Sequence, residues 1–326
     1  MAEFIHSIFE ANQAISNDGD VTYDLPVNPM SVILIHISPL NNTGSLPDYA
    51  LLEGLLSAID NIRITHKGSA IINASGVDLA ALALLYHRIA IWQSNAVETN
   101  NDRRSLVLPL LFGRKPYMPN ECFPATRRGE FQMTITWDIA DTGFDGLRMS
   151  IETIELIDVT PEWVQKTTTL SQTFAATGDN DIDLPIGNAI RGILMFGTTG
   201  FAGAAPAPSL GALEVLVDNK TRGYSATDFE VSRAILGLAA RPFPPDFRHI
   251  HSVNAAGAGE EDVREPEIGG SIDDNYTLLD FDPTMDDLYI LETADAARVN
   301  VRINAETADA VRAIPIERVA AANFAA

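Results

Sequence analysis

Beyond the first 20 residues, the apolar positions of this 326-residue chain fall in short runs or at every second residue, as in β-strands. Segments 31–38 (SVILIHIS), 61–65, 70–73, 105–112, 130–137 and 147–156 are rich in Ile, Val, Thr and aromatics. Each is bounded by Gly, Pro, Asn or Asp and predicts a strand. In EFQMTITW, Phe131, Met133, Ile135 and Trp137 share one face and Gln132, Thr134 and Thr136 the other, as in a half-buried antiparallel strand. The run VILI at 32–35 has no polar face and predicts burial on both sides. Two segments, 48–60 and 76–90, carry helical spacing instead. In the second, Leu79, Leu82, Leu85 and Tyr86 share a face, and Asp78 is an early acid that suits the helix dipole.

The pattern is told twice. Asp24-Leu25-Pro26 recurs as Asp183-Leu184-Pro185, an offset of 159, and each triplet leads through a turn into an apolar strand and a Gly/Thr/Asn loop. A second alignment, at an offset of 150, sets Ser75 against Ser225 and Asp78 against Asp228. Both halves close with paired alternating strands: EFQMTITW and LRMSIETIEL first, DDLYILET and RVNVRIN later. The stretch 158–169 reads as the link between halves. The irregular stretch 241–274, too long for an ordinary connection, reads as an exposed excursion of the second half. About eight strands per half, two short helices and long crossing loops predict an all-β protein with a few short helices, built as two tandem eight-stranded jelly rolls. The expected division is an amphipathic segment at 1–20, a first jelly roll at 21–158 and a second at 159–326.

Composition narrows the function. With 46% hydrophobic and 20% charged residues, the chain can bury a core in each half. Its 44 acidic residues against 22 basic ones give a formal net charge of −22, which repels phosphate backbones, so no direct nucleic-acid binding is expected. A single cysteine, Cys122, excludes internal disulfides and multi-cysteine metal sites. The start, MAEFIHSIFEANQ, lacks the features of a secretory signal, and no apolar run approaches a membrane-spanning length.

Catalytic chemistry is hard to find. There is no nucleophile elbow and no phosphate loop, and Cys122 sits in a Pro-bounded turn as a structural thiol. His249 and His251 could face one way from a strand, as in a metal-binding jelly roll. The next glutamate, however, is Glu260, and no histidine follows. Asp179, Asp181 and Asp183 alternate like the start of a calcium loop, but Leu184 and Ile190 stand where the loop's Gly and Glu would be. Glu152 and Glu155 differ by three, so on a flat strand they face opposite ways, reading as a solvated edge rather than a glycosidase pair. No catalytic, metal or cofactor residue is therefore assigned. The remaining candidates are Phe4, Ile5, Ile8 and Phe9, which share one face if the first residues form a helix; such a face would pack on an inner surface or a partner.

The stretch from Tyr23 to Arg88, YDLPVNPMSVILIHISPLNNTG through LLYHR, with its weaker echo after Asp181, resembles double jelly-roll major capsid proteins. The resemblance is greatest to those of tailless, membrane-containing icosahedral bacteriophages of the corticovirus type, and it spans about residues 21 to 320. It implies a coat subunit rather than an enzyme, needing no cofactor, made in the host cytoplasm and located in the virion capsid. Its first partner would be itself: a homotrimer of pseudo-hexagonal outline that tiles an icosahedral shell. Penton or minor capsid proteins and an internal lipid membrane are further implied partners. The N-terminal apolar residues would then lie at the inner face. The alternative, a two-domain jelly-roll carbohydrate-active enzyme or lectin-like binding protein, needs paired acids, a metal or an aromatic-lined groove.

Overall fold

A computed structural model of the chain describes residues 3–42, 52–94, 101–140, 143–199, 209–238, 251–253, 259–261 and 275–324. The first half contributes strands β1 (Glu3–Ala14), β2 (Asp18–Asp24), β3 (Met30–Ile37), β4 (Asn61–His66), β5 (Ser69–Ala74), β6 (Leu106–Leu111), β7 (Phe131–Asp138) and β8 (Arg148–Ile157). They form two facing sheets, β1-β8-β3-β6, which a two-residue strand at Trp92–Gln93 extends beyond β6, and β2-β7-β4-β5. The second half contributes β9 (Trp163–Thr168, resumed as Leu170–Thr173), β10 (Gly178–Asp183), β11 (Ala189–Gly197) and β12 (Ala212–Val217). It continues with β13 (Lys220–Thr221 and Thr227–Asp228), β14 (Tyr276–Asp280), β15 (Val299–Ala305) and β16 (Ala310–Ala320). These form β9-β16-β11-β14 and β10-β15-β12-β13. Adding eight to each label of the first sandwich yields the second. That is the jelly-roll connectivity, twice.

The repeated triplet has a structural meaning. Leu25 follows β2, is buried, and its N–H donates to Phe131 O at 2.9 Å at the start of β7. Leu184 follows β10, is buried, and donates to Val299 O at 2.8 Å at the start of β15. In both halves the triplet thus ends the second strand and turns the chain toward the third. The β4–β5 and β12–β13 hairpins also match. Lys67-Gly68 (φ 50° and 83°) and Asp218-Asn219 (φ 50° and 61°) supply the paired positive φ angles of a two-residue turn.

The sandwiches are joined edge to edge. β5 pairs in parallel with β9, Thr167 opposite Ile72 and Thr168 opposite Asn73, so one continuous sheet runs from β2 to β14. Helix α1 (Leu52–Ser57) precedes β4, and α2 (Gly76–Leu82) follows β5. Ser75 caps α2 by accepting from Asp78 N at 3.2 Å. A Cβ on Gly76 would lie 2.5 Å from Leu56 O, so only glycine lets α2 approach α1 this closely. A π turn (Ala83–His87) extends α2 and ends at Arg88, in the left-handed conformation. Helix α3 (Phe229–Leu238) follows β13 in the equivalent place.

Several expectations need correction. Residues 3–14 form a strand, not a helix: β1 pairs with β8 from Glu3–Ile157 to Ala14–Arg148, with bulges after Ile8 and Glu10. An apolar run this short suits either period, and pairing with an available sheet edge decides it. β7 and β8 lie in different sheets, so EFQMTITW and LRMSIETIEL face rather than pair with each other. DDLYILET is a loop, because Asp286 and Asp282 side chains accept from Leu288 N (3.0 Å) and Asp287 N (2.8 Å) and occupy backbone groups that a ladder would use. β15 pairs instead with β10 and β12. The link at 158–169 contains β9, the strand that welds the halves. The helices are shorter than 48–60 and 76–90. Most of 241–274 lies outside the described residues, save a hairpin of His251–Val253 with Gly259–Glu261.

Candidate functional site at the joint and the open faces

The sheet β9-β16-β11-β14 is apolar on both faces. Ile193, Met195, Leu279 and Ala313 point into the second sandwich, whereas Leu194, Leu278, Ile314 and Ile316 join the core of the first. Alternation is lost here because neither side meets water. α2 and its π turn cover this outer face. At its margin Asp78, buried in the first turn of α2, accepts from Tyr276 Oη at 2.7 Å and from Arg312 Nη2 at 2.8 Å. The Arg312 guanidinium stacks 3.6 Å over the Phe196 ring. Burial, reinforced by the charge of Asp78, raises the Tyr276 phenol well above its ordinary range, so it remains a donor.

A second charged cluster fills the other part of the joint. The loop between β6 and β7 supplies Arg114 and Glu121; β11 supplies Arg191; the loop after β14 supplies Asp282 and Asp287. Arg191, fully buried, donates to Glu121 Oε1 at 2.8 Å and to Asp287 Oδ1 at 2.8 Å. Arg114 donates to Glu121 Oε2 at 3.1 Å and to Asp282 at 3.2 Å, and Arg318 reaches Asp287 at 3.2 Å. Burial alone would push the Glu121 carboxyl up; the Arg114 hydrogen bonds and the Arg191 charge outweigh it and hold it below the ordinary carboxylate range. Asp287 is held low in the same way, by Arg191, Arg114 and Arg318 against its own burial. Gly113 permits the tight loop, since a Cβ there would lie 2.2 Å from Glu121 O. Sequence reasoning missed Arg191, although an arginine inside the apolar run AIRGILMF is itself the signal: it sits at the bulge between Ile190 and Gly192.

Among the described residues, the corresponding outer face of β1-β8-β3-β6 has no comparable cover. Register equates its rows Ser150–His36–Val107 and Glu152–Leu34–Pro109 with Arg312–Phe196–Tyr276 and Ile314–Leu194–Leu278 of the second sandwich. All six first-sandwich side chains are half-buried. The adjoining row Ile154–Val32–Leu111 is buried and forms a small apolar cluster with Leu34 and Ile89. The four candidate residues are placed unequally. Phe4, Ile5 and Ile8 are 60%, 47% and 66% exposed, whereas Phe9 packs on the first core beside Tyr23. Phe4 and Ile8 fall on the outer face with His6, which meets Glu152 at 2.7 Å; Ile5 faces the other way. Phe4 also meets the exposed Tyr117 ring edge-on at 5.1 Å.

The other sequence motifs assemble no chemistry among the described residues. Asp181 and Asp183 accept from Arg302 (2.9 Å) and Arg298 (2.7 Å), and Asp179 accepts from Asn304 at 2.7 Å. Glu155 is not at a solvated edge: it is buried in the second strand of its sheet and accepts from Ser7, Asn28 and Thr153. Cys122 is buried, and burial pushes its thiol up to about 12. His249 lies outside the described residues. Among those described, no group of three or more His, Cys, Asp or Glu could hold a metal, and no helix is long and apolar enough to cross a membrane.

Two jelly rolls joined edge to edge through one sheet, with a helix after the fifth strand of each, invite comparison with known structures. Over nearly its whole length the chain is similar to the major capsid protein P2 of bacteriophage PM2, with 14% identity, a TM-score of 0.62 and 98% of each chain covered. It is similar to the major capsid protein of Sulfolobus turreted icosahedral virus, with 11% identity, a TM-score of 0.65 and 97% of each chain covered. The PBCV-1 capsid protein matches at 9% identity and a TM-score of 0.63, over 98% of this chain and 94% of that one. The fold is a double jelly roll. No protein-family model and no curated protein sequence matches the chain.

Proposed function

We propose that the chain is a major capsid protein whose activity is self-association into a homotrimer of pseudo-hexagonal outline, the tile of an icosahedral shell. The observation that carries this reading is the near-complete, two-way coverage by viral coat proteins, on a duplicated sandwich whose buried charges serve the joint. Fold alone does not give function. The added support is where the apolar surface lies: Phe4, Ile5 and Ile8 stand exposed on a sheet edge, as a self-associating subunit requires and an enzyme does not. The reading divides the chain near residue 158 and places it in the virion capsid, made in the host cytoplasm, around an internal lipid membrane and beside penton or minor proteins. Negative-stain imaging of the purified chain tests it. Triangular or hexagonal particles, or closed shells, are expected; isolated two-lobed particles at high concentration would overturn the proposal.

A further inference from the structure

We infer that a cavity in the second sandwich is a socket for a phenylalanine side chain presented by a separate polypeptide. The ring would take the place that Phe324 of this chain takes in the first sandwich. The inference comes from the internal repeat and does not depend on the coat-subunit reading above.

In the first sandwich, the space between the β4–β5 hairpin and the loop after β6 is filled from outside. A 3₁₀ turn after β16, Ala321–Phe324, buries the Phe324 ring against Phe123 (5.3 Å between centroids) and His66 (5.9 Å). Phe112 lies 5.7 Å from Phe123 and completes the aromatic bed. Each of these residues has a counterpart in the second sandwich. His66 and Val217 directly precede the matching two-residue turns. Met30 exchanges backbone hydrogen bonds of 2.8 Å with Phe123, and its counterpart Ile190 does so with Leu291 at 2.9 and 3.0 Å, which equates Phe123 with Leu291. The equated pair Val107 and Tyr276 likewise leads along β6 and β14 to Phe112 and Phe281.

Val217, Phe281 and Leu291 line a cavity of about 710 Å³, and no described residue stands there as Phe324 stands in the first sandwich. The residue that follows β8 as Phe324 follows β16 is Glu162, and it is already engaged. Its N–H donates to Asn120 O at 2.9 Å, and its O accepts from Ala321 N at 2.9 Å. The cavity is large enough for a ring and the small residues beside it. Its aromatic wall is fixed: Tyr224 Oη donates to Asp280 O at 3.1 Å and accepts from Asp280 N at 2.8 Å, and its ring meets Phe281 edge-on at 5.5 Å. Tyr289, 61% exposed, supplies a third ring. Arg222 and Glu292 bring one charge of each sign, so the lining does not select a charged ligand. Rings set edge to face and an apolar floor suit another aromatic side chain. The filled site shows its setting, Ala-Ala-Asn-Phe, in which only small or polar residues flank the ring.

The probe is the acetylated peptide AAANFAA, the sequence of residues 320–326, titrated into the full chain and followed by ligand-observed NMR. Saturable binding is expected, and the peptide AAANAAA should bind roughly tenfold or more weakly because the buried ring is gone. Val217→Trp fills the cavity, leaves the first sandwich unchanged and should abolish binding. Tyr289→Ala, a change at an exposed position, should weaken binding several-fold while the melting curve stays as it is. Absence of binding to the wild-type chain would overturn the inference. So would binding that survives Val217→Trp, because the peptide would then be displacing Phe324 from the first sandwich. A methyl glycoside that competes the peptide away would assign the cavity to a sugar and overturn it too. None of these readings involves the native mass, so their failure leaves the coat reading standing.

Discussion

The two outer faces of this molecule share one topology and differ in what covers them. On the second sandwich, Leu194, Leu278 and Ile314 lie in a row under α2, with Asp78, Tyr276 and Arg312 closing the margin. On the first, the same row reads Leu34, Pro109 and Glu152, and all three keep contact with water. A surface that is buried in every folded chain can be wholly apolar. One that must stay dissolved before it meets a partner keeps polar groups among its apolar ones, as interfaces of independently folded proteins do.

The comparison can be broken first at the covered joint. Arg191→Ala removes the fully buried cation between Glu121 and Asp287, and loss of one partner of a buried pair costs about 3–5 kcal/mol. Chemical denaturation should register that loss. Asp78→Ala strips the partner of Arg312 and Tyr276, and a fall of about 1.5–3 kcal/mol is expected from hydrogen bonds that involve charge. Gly113→Ala drives a methyl group into Glu121 O and should cost about 1–3 kcal/mol, read as a lower melting temperature.

Acid sharpens the same contrast. Glu121 and Asp287 have folded pKa values below their ordinary ones, so their contribution is fully present above the unfolded values of roughly 4 and is lost as pH falls through the folded values. Melting temperature should therefore decline below about pH 4, and Arg191→Ala should flatten that decline. The smallest effect belongs to the open face. Glu152→Ala breaks only a partly exposed contact with His6 and should change the stability of a single chain by about 0–1 kcal/mol. A larger loss would mean that the open face is already part of the folded core.

Much of the fold was legible because strand period and turn chemistry are local. Phe131, Met133, Ile135 and Trp137 are buried as their alternation predicts, and Asp-Leu-Pro marks the same corner in both sandwiches. What could not be read was decided by partners distant in sequence. β1 is a strand because β8, over 130 residues away, offers it an edge. Asp78 looks like a helix-dipole residue, yet it also answers Arg312 across 234 positions. Arg191 and Glu121 are unremarkable until the joint brings them together. The alignment of Asp78 with Asp228 fails for a related reason: Asp228 precedes α3, and the helix position equivalent to Asp78 carries Val231. Of the four N-terminal candidates, Phe4, Ile5 and Ile8 are exposed and Phe9 packs on the first core, and all four lie on a strand rather than a helix.

The proposed coat subunit completes its open face with other copies of itself. The native mass of the purified protein, measured by light scattering over a range of concentrations, tests it most directly. A mass of three times the 35.3 kDa chain is expected. A stable species of one chain mass at high concentration would contradict it.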